Sequence, residues 1–298
     1  YPIKALITLG NNTLLSYANQ HQILQALMNQ ELIVAHEIFM TPTAMLADYV
    51  LPGDVFTERN HVADGWSWGS RLTLSQKVVE APEYASSTFQ FWTDLGRRMG
   101  LAEYFPWDTL EDMLDYRLSR SGRTFAEFEA ATFMEMPTPK FRKYRKHGFA
   151  TPSGKVELYS SVLEDLGFDP LPYYREGPMP NEEYPYAVFT GVREDPFFQT
   201  GQRNIEVLRA RCPTPQLYLH PTDATREQLA DGDWVRLESA TGSVTAQILI
   251  QQSMKEGHIR VPHGWWYPET RGQENLAGAF LSSDAVLCSD DDEFLDYE

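Results

Sequence analysis

Cysteine is nearly absent. The chain has 298 residues and only two cysteines, Cys212 and Cys288. They form no CxxC pair, so thiols alone cannot hold a structural zinc or an iron–sulfur cluster here. Two isolated thiols are the preferred reading, with a single disulfide as the other. Positive charge is also scarce: 25 Lys and Arg stand against 42 Asp and Glu, a net charge of −17. Such a surface repels a phosphate backbone, which argues against a nucleic-acid partner. No apolar run reaches the ~18 residues that a membrane span needs. No signal-peptide pattern stands at the start, and no tandem repeat is found. His21, His36, His61, His147, His220 and His258 show no ligand spacing and read as surface or structural residues. The opening Tyr1-Pro2-Ile3-Lys4 has no methionine and runs at once into a strand-like stretch, the expected look of a cut end.

What is present suits a packed globular protein, with 42% hydrophobic and 13% aromatic residues. Ile3 to Leu9 is an apolar run ending at Gly10, as expected of a buried parallel strand. Ile23, Leu24, Leu27 and Met28 follow at helical spacing between Asn19 and Gln30, and Leu32 to Ala35 reads as a second strand. This is a β-α-β unit. Thr41 and Pro42 predict an N-cap and first position of another helix, before a third strand at Tyr49-Val50-Leu51. The architecture predicted is a doubly wound, Rossmann-like α/β domain. From Thr88 to Glu135 the period is helical, with Phe89, Trp92, Leu95 and Met99 on one face. The basic run from Lys140 to His147 reads as a solvated face. A Pro- and Gly-rich stretch then marks a linker. Beyond it, Tyr186 to Phe189, Leu217 to Leu219, Trp234 to Glu238, Ser243 to Ile250 and His258 to Val261 read as short strands. Turns at Asp231-Gly232-Asp233 and Thr241-Gly242-Ser243 join some of them, which suggests a closed β-barrel.

Several stretches carry chemistry. Gly10-Asn11-Asn12 ends the first strand, where α/β sheets bind ligands and where glycine lets backbone approach a phosphate or flat ring. Taken alone it is equally a strand-to-helix turn. Glu37 lies just past the second strand. A carboxylate there can accept from ribose hydroxyls or from the two adjacent donors of guanine. Alone it also reads as a solvated loop residue. Thr190-Gly191-Val192-Arg193, with Phe198, Thr200 and Arg203 downstream, offers backbone donors and planar cations for phosphate or a ring carbonyl. Either arginine alone reads as readily as half of a surface ion pair. Trp265 and Trp266 alone read as barrel core or rim.

Taken in order, these stretches resemble a known family. Thr41-Pro42-Thr43-Ala44-Met45-Leu46-Ala47-Asp48-Tyr49-Val50-Leu51-Pro52 is similar to the T-E-T-A-x-x-A-D-x-V-L-P signature of the bis-molybdopterin-guanine-dinucleotide oxidoreductases, the dimethyl-sulfoxide-reductase family. Gly148 to Glu157 is similar to that family's G-F-x-T-P-S-G-K-x-E link. Thr190-Gly191-Val192-Arg193 resembles its T-G-x-R turn, and His220 to Ala224 with Leu229 to Val235 resembles a structural H-P-x-x-A and G-D-x-V pair. His263-Gly264-Trp265 and Asn275-Leu276 resemble its H-x-W and N-x-L-T stretches. Departures are Thr13 for the family's Pro, Glu37 for Asp, Pro42 for Glu, and Leu276-Ala277-Gly278 after Asn275, where the family's Thr is absent.

The resemblance implies the C-terminal half of a molybdenum or tungsten oxidoreductase. The fold it implies is an incomplete doubly wound α/β region with a helical extension over 1–166, a linker over 167–184, and a double-psi β-barrel over 185–298. The cofactor it implies is molybdopterin guanine dinucleotide, with the iron–sulfur cluster and the metal ligand upstream of Tyr1. Cofactor contacts are then expected from Gly10, Asn11, Asn12, Glu37, Thr41, Thr43, Asp48, Thr190, Gly191, Arg193, Thr200, Arg203, His263, Trp265 and Asn275, with no catalytic or metal-ligating residue in this chain. The expected partners are the N-terminal half of the same enzyme and an iron–sulfur electron-transfer subunit. The chain alone is expected to be inactive. The compartment stays open between bacterial or archaeal cytoplasm and periplasm. The competing reading is a stand-alone aromatic-rich barrel that holds a sugar or peptide against Trp265 and Trp266.

Overall fold

Three parallel strands form the first sheet: β1 (Ala5–Leu9), β2 (Leu32–Glu37) and β3 (Tyr49–Pro52), paired in the order β1-β2-β3. The computed structural model describes residues 3–63, 71–135, 141–171, 173–174, 179–270 and 273–289. Parts of the expected basic run (Lys140), linker and C-terminal end lie outside these residues. The crossover from β1 to β2 contains the helix Gln20–Met28, whose N-cap Asn19 accepts a hydrogen bond from the Gln22 N–H. That is the capping chemistry its side chain suits.

The helix expected at Thr41 is instead a single tight turn, Ala44–Leu46. Thr41 does cap it, since its Oγ1 accepts from the Ala44 N–H at 3.2 Å. Ala47 is already extended (ψ 143°), because Asp48 must pair with β2: Asp48 N donates to Ile33 O and Asp48 Oδ2 accepts from Ile33 N. Too few residues separate the cap from β3 for a full helix.

The chain divides into two compact units that are not consecutive in sequence: Tyr1–Val55 with Ala81–Phe105 and Pro178–Glu298, and Phe56–Glu80 with Pro106–Gly177. In the first unit, a bridge between Gly53 and Ser86 returns the chain to the end of β3. The helix Thr88–Arg98 follows. Its buried positions are Thr93 and Gly96, whereas Trp92 and Met99, expected to face inward, are exposed. Gly96 sets the buried face. A Cβ there would lie 2.3 Å from the Phe105 ring, so only glycine lets that ring close over the helix.

The second unit holds β4 (His61–Ala63), β5 (Arg71–Ser75) and β6 (Phe133–Glu135) in an antiparallel sheet. The periodicity did not reveal these strands, and β6 replaces the end of the expected helix. Helices Leu110–Leu118 and Phe125–Ala131 each start with a capping box, from Thr109 and Thr124. Leu74, Leu114, Leu118, Phe125 and Phe128 form the unit's core. Arg142, Lys143, Arg145 and Lys146 are exposed, as a solvated basic face requires.

The first unit also contains β7 (Ala187–Val192), β8 (Gln216–Leu219), β9 (Trp234–Glu238), β10 (Ser243–Ile250) and β11 (His258–Pro262), in the order β7-β11-β8-β10-β9. The pairing is mixed, parallel for β7/β11 and β8/β10 and antiparallel for β9/β10. Leu217, Leu219, Val244, Ala246, Ile248, Ile259 and Val261 bury one face of these strands. A second apolar cluster ties the two sheets of this unit together: Leu14, Leu15, Leu27 and Ile33 pack with Trp266, Leu276, Ala277 and Ala279. The protein is therefore of mixed α/β class.

Candidate cofactor-binding site

At the carboxyl end of β1, Gly10 takes φ +57°, with no heavy atom within 4 Å of where a Cβ would stand. Its N–H donates to His36 O at 3.0 Å, which ties the end of β1 to β2. Asn12 is buried. Its Oδ1 accepts from Thr43 N at 3.2 Å and from Thr43 Oγ1 at 2.8 Å, while Thr43 Oγ1 accepts from Leu14 N at 2.9 Å. Asn12 Nδ2 is buried and has no partner among the described residues. A buried amide donor left unpaired costs about 1–3 kcal/mol, so it suits an acceptor supplied by a ligand. Asn11 is exposed and accepts from Thr13 Oγ1.

Thr41, Thr43 and Asp48 are in the place expected but do different work. Their side chains bond Ala44 N, Leu14 N and Ile33 N respectively. These bonds brace the loop backbone, with Asp48 at the surface and Thr41 and Thr43 buried. Glu37 combines partial burial with a second carboxylate oxygen, unbonded among the described residues. It is half-buried at the end of β2, and burial raises its carboxyl above the ordinary value of 4.5, partly offset by the N–H groups of Ile38 and Phe39. Its Oε1 accepts from Ile38 N at 2.9 Å.

The second group of predicted residues lies around β7. Its pairing with β11 shifts register between Arg260 and Pro262. Gly191 stands at this irregularity with φ +75°, a conformation side chains resist. Arg193 is exposed, its guanidinium 4.6 Å over the Phe198 ring. Arg203, by contrast, is 1% exposed. It donates to the carbonyls of Gln199, Gly201 and His263 and stacks between Phe197 and Trp265. Burial pushes its pKa down to about 10, so it remains a cation at neutral pH. Its bonds to those carbonyls brace the loop, while Arg203 Nε is buried without a partner among the described residues. Thr200 O accepts from Trp266 Nε1 at 2.7 Å.

Trp265 and Trp266 are 2% and 1% exposed. Such burial leaves little ring surface for the open stacking platform that the sugar-binding reading requires, although Trp266 forms part of a cleft wall. Asn275 is exposed, and Leu276 and Ala277 after it are left-handed. Among the described residues nothing connects Asn275 to the Gly191 turn. A stretch that the sequence reading missed takes that place: Asp284 accepts from Gly191 N at 3.0 Å, and Thr190 Oγ1 lies 3.5 Å from Cys288 Sγ. The signal available in sequence was a lone acid, after Ser282 and Ser283, in the mostly apolar run from Ala279 to Leu287.

Both cysteines are free thiols. Burial raises Cys212 to about 11, so it is no nucleophile at neutral pH. Among the described residues no group of three or more His, Cys, Asp or Glu could hold a metal ion, and no helix is long and apolar enough to cross a membrane. A cleft of about 500 Å³ opens between the loop after β2 and the C-terminal segment, lined by Phe39, Met45, Ala47, Val50, Trp266 and Pro268 among others. Of the residues that the sequence singled out, only Trp266 lines it, and none of the expected dinucleotide contacts does.

An open glycine backbone, an unpaired amide and a desolvated carboxylate thus lie at or just past the ends of parallel strands. Two family models match the chain: Molybdopterin oxidoreductase over residues 1–98, and Molydopterin dinucleotide binding domain over residues 188–285. The chain belongs to the molybdopterin oxidoreductase family, whose members include dimethyl sulfoxide reductase. It is 42% identical to acetylene hydratase of Syntrophotalea acetylenica over 100% of this chain and 42% of that one. Dimethyl sulfoxide reductase of Escherichia coli is 26% identical over 89% of this chain and 37% of its own length. The solved structure of acetylene hydratase from Pelobacter acetylenicus superposes with a TM-score of 0.91 at 42% identity, covering 99% of this chain and 42% of that one. The chain thus spans 37–42% of the length of these relatives. The family's cofactor is molybdopterin dinucleotide, which the second matched domain binds.

Proposed function

We propose that this chain is the cofactor-gripping portion of a molybdenum or tungsten oxidoreductase, and that it holds molybdopterin guanine dinucleotide from two sides. The observation that carries this is Glu37: a half-buried carboxylate at the end of a parallel strand, desolvated and with no bonded cation among the described residues. Such a group is destabilised until a ligand supplies donors. Guanine has two adjacent ones, N1–H and the N2 amine, and a carboxylate accepts both. The Gly10 to Asn12 backbone and the free Asn12 Nδ2 then suit the sugar and phosphates. On the other side, Thr190, Gly191, exposed Arg193 and His263 face the pterin end. When bound, the group supplies two-electron redox or oxygen-atom transfer chemistry. This chain's residues bind and orient it.

Residues 1–166 serve as the α/β portion of the grip and 185–298 as a double-psi β-barrel closed beyond the five-stranded order described above. The metal ligand, the iron–sulfur site and the electron partner belong to polypeptide outside this chain. The substrate is set there as well: relatives named as a hydratase and as a sulfoxide reductase share this portion. The test is to purify the full-length protein from cells that make the cofactor, release bound small molecules with acid, and quantify guanine nucleotide and oxidised pterin. A ratio of about two guanines per protein supports the reading. Pterin without guanine nucleotide overturns it.

A further inference from the structure

Asp284 is 2% exposed, and its carboxylate takes three donors. Oδ2 accepts from Gly191 N at 3.0 Å and lies 3.1 Å from His263 Nδ1, and Oδ1 accepts from Gly264 N at 2.8 Å. One buried acid therefore joins two segments far apart in sequence, the Thr190–Arg193 turn and the loop after β11. The backbone of that loop has other anchors. His263 N donates to Val192 O, and His263 O accepts from Arg203 Nη2. Gly264 has φ +62°, and a Cβ there would lie 2.3 Å from Thr200 Cγ2, so the turn admits no side chain. What these anchors do not set is the protonation state of the imidazole. An ionised carboxylate can only accept, so the proton it meets must sit on Nδ1. That leaves Nε2, which has no bonded partner among the described residues.

We propose that Asp284 is the positioning residue for the pterin side of the site: it holds His263 as the Nδ1–H tautomer and so makes Nε2 the atom presented to the dinucleotide. The second half of that statement rests on the cofactor-binding reading of His263, and the first half does not. Asp284→Ala removes both acceptor oxygens, so nothing then selects the proton position on the ring, and the imidazole is free to take the Nε2–H form. The variant therefore changes what the ring offers a ligand.

The experiment uses the full-length holoenzyme labelled with ¹⁵N-histidine, with the His263 signals assigned by their loss in His263→Gln. Long-range ¹H–¹⁵N spectra report the tautomer. Cofactor release under mild denaturant reports retention. The expected result is a fixed Nδ1–H in the wild type, a ring largely or partly Nε2–H in Asp284→Ala, and roughly fivefold to tenfold faster pterin release in both Asp284→Ala and His263→Gln. A changed tautomer with unchanged release would retain Asp284 as the tautomer-setting group and remove His263 from the cofactor contacts. Wild-type His263 carrying its proton on Nε2 would overturn the proposal, a result that needs no variant to fold. So would a ring that stays wholly Nδ1–H in Asp284→Ala.

Discussion

Glu37 places binding and stability in opposition at one residue. Burial raises its folded-state pKa above the ordinary 4.5. The folded protein therefore holds the proton more tightly than the unfolded chain does. The stabilising contribution is complete below the unfolded value and is lost as pH rises through the raised folded value. In the cofactor-free protein, Glu37→Gln should thus be more stable than wild type at neutral pH, and the difference should vanish below about pH 4.5. The group is partly exposed, so solvent screening keeps the gain under about 1 kcal/mol, or roughly 3 °C in Tm. Scanning calorimetry at two pH values checks this. Thr43 makes the opposite case. Thr43→Val leaves Leu14 N–H without an acceptor and removes one of two donors from Asn12 Oδ1. At 1% exposure water cannot replace them, and unfolding in urea should show a loss of about 1–3 kcal/mol.

At the scale of elements, the strands were the legible part. Trp234–Glu238 and Ser243–Ile250 match their sequence limits because short alternating runs bounded by Gly turns leave little choice of register. What periodicity could not show was set by contacts distant in sequence. Thr41 and Pro42 form a good helix start, yet pairing of β3 with β2 ends the turn at Ala47. The burial of Thr93 and Gly96 instead of Trp92 and Met99 depends on the Phe105 ring, which no helical wheel contains. Asp284 was overlooked for the same reason: its three donors come from residues 191, 263 and 264. The loop after β11 gives a prediction at this scale. Gly264→Ala must adopt a left-handed backbone, which costs about 1–2 kcal/mol, and must displace Thr200, whose carbonyl holds Trp266. A total loss of about 2–4 kcal/mol is expected in a denaturant titration.

For the whole molecule, the family was legible in the ordered series of short motifs, and the site only in part. The sequence placed Gly10, Asn12, Glu37 and Gly191 at strand ends, where ligands bind. It could not show how far Arg203, Thr43 and Asp48 also brace the loops, because the carbonyls and N–H groups they bond belong to other segments. The same scale governs activity. If the metal ligand lies in the rest of the enzyme, the 298-residue chain produced alone should show no redox turnover and no stoichiometric molybdenum or tungsten by elemental analysis. Reproducible turnover by that chain would place the reactive centre within it.

The claim on which the account turns is that Glu37 reads guanine, and one measurement addresses it most directly: guanine nucleotide retained by full-length wild type, Glu37→Gln and Glu37→Ala under mild denaturant, quantified after acid release. Glutamine turns one acceptor into a donor facing a guanine donor, and alanine leaves both ring donors unpaired. Each loss is worth about 1–3 kcal/mol, so retention should weaken roughly 5- to 150-fold in both variants. Retention equal to wild type in both, at full occupancy, would contradict the account and make Glu37 a solvated loop residue.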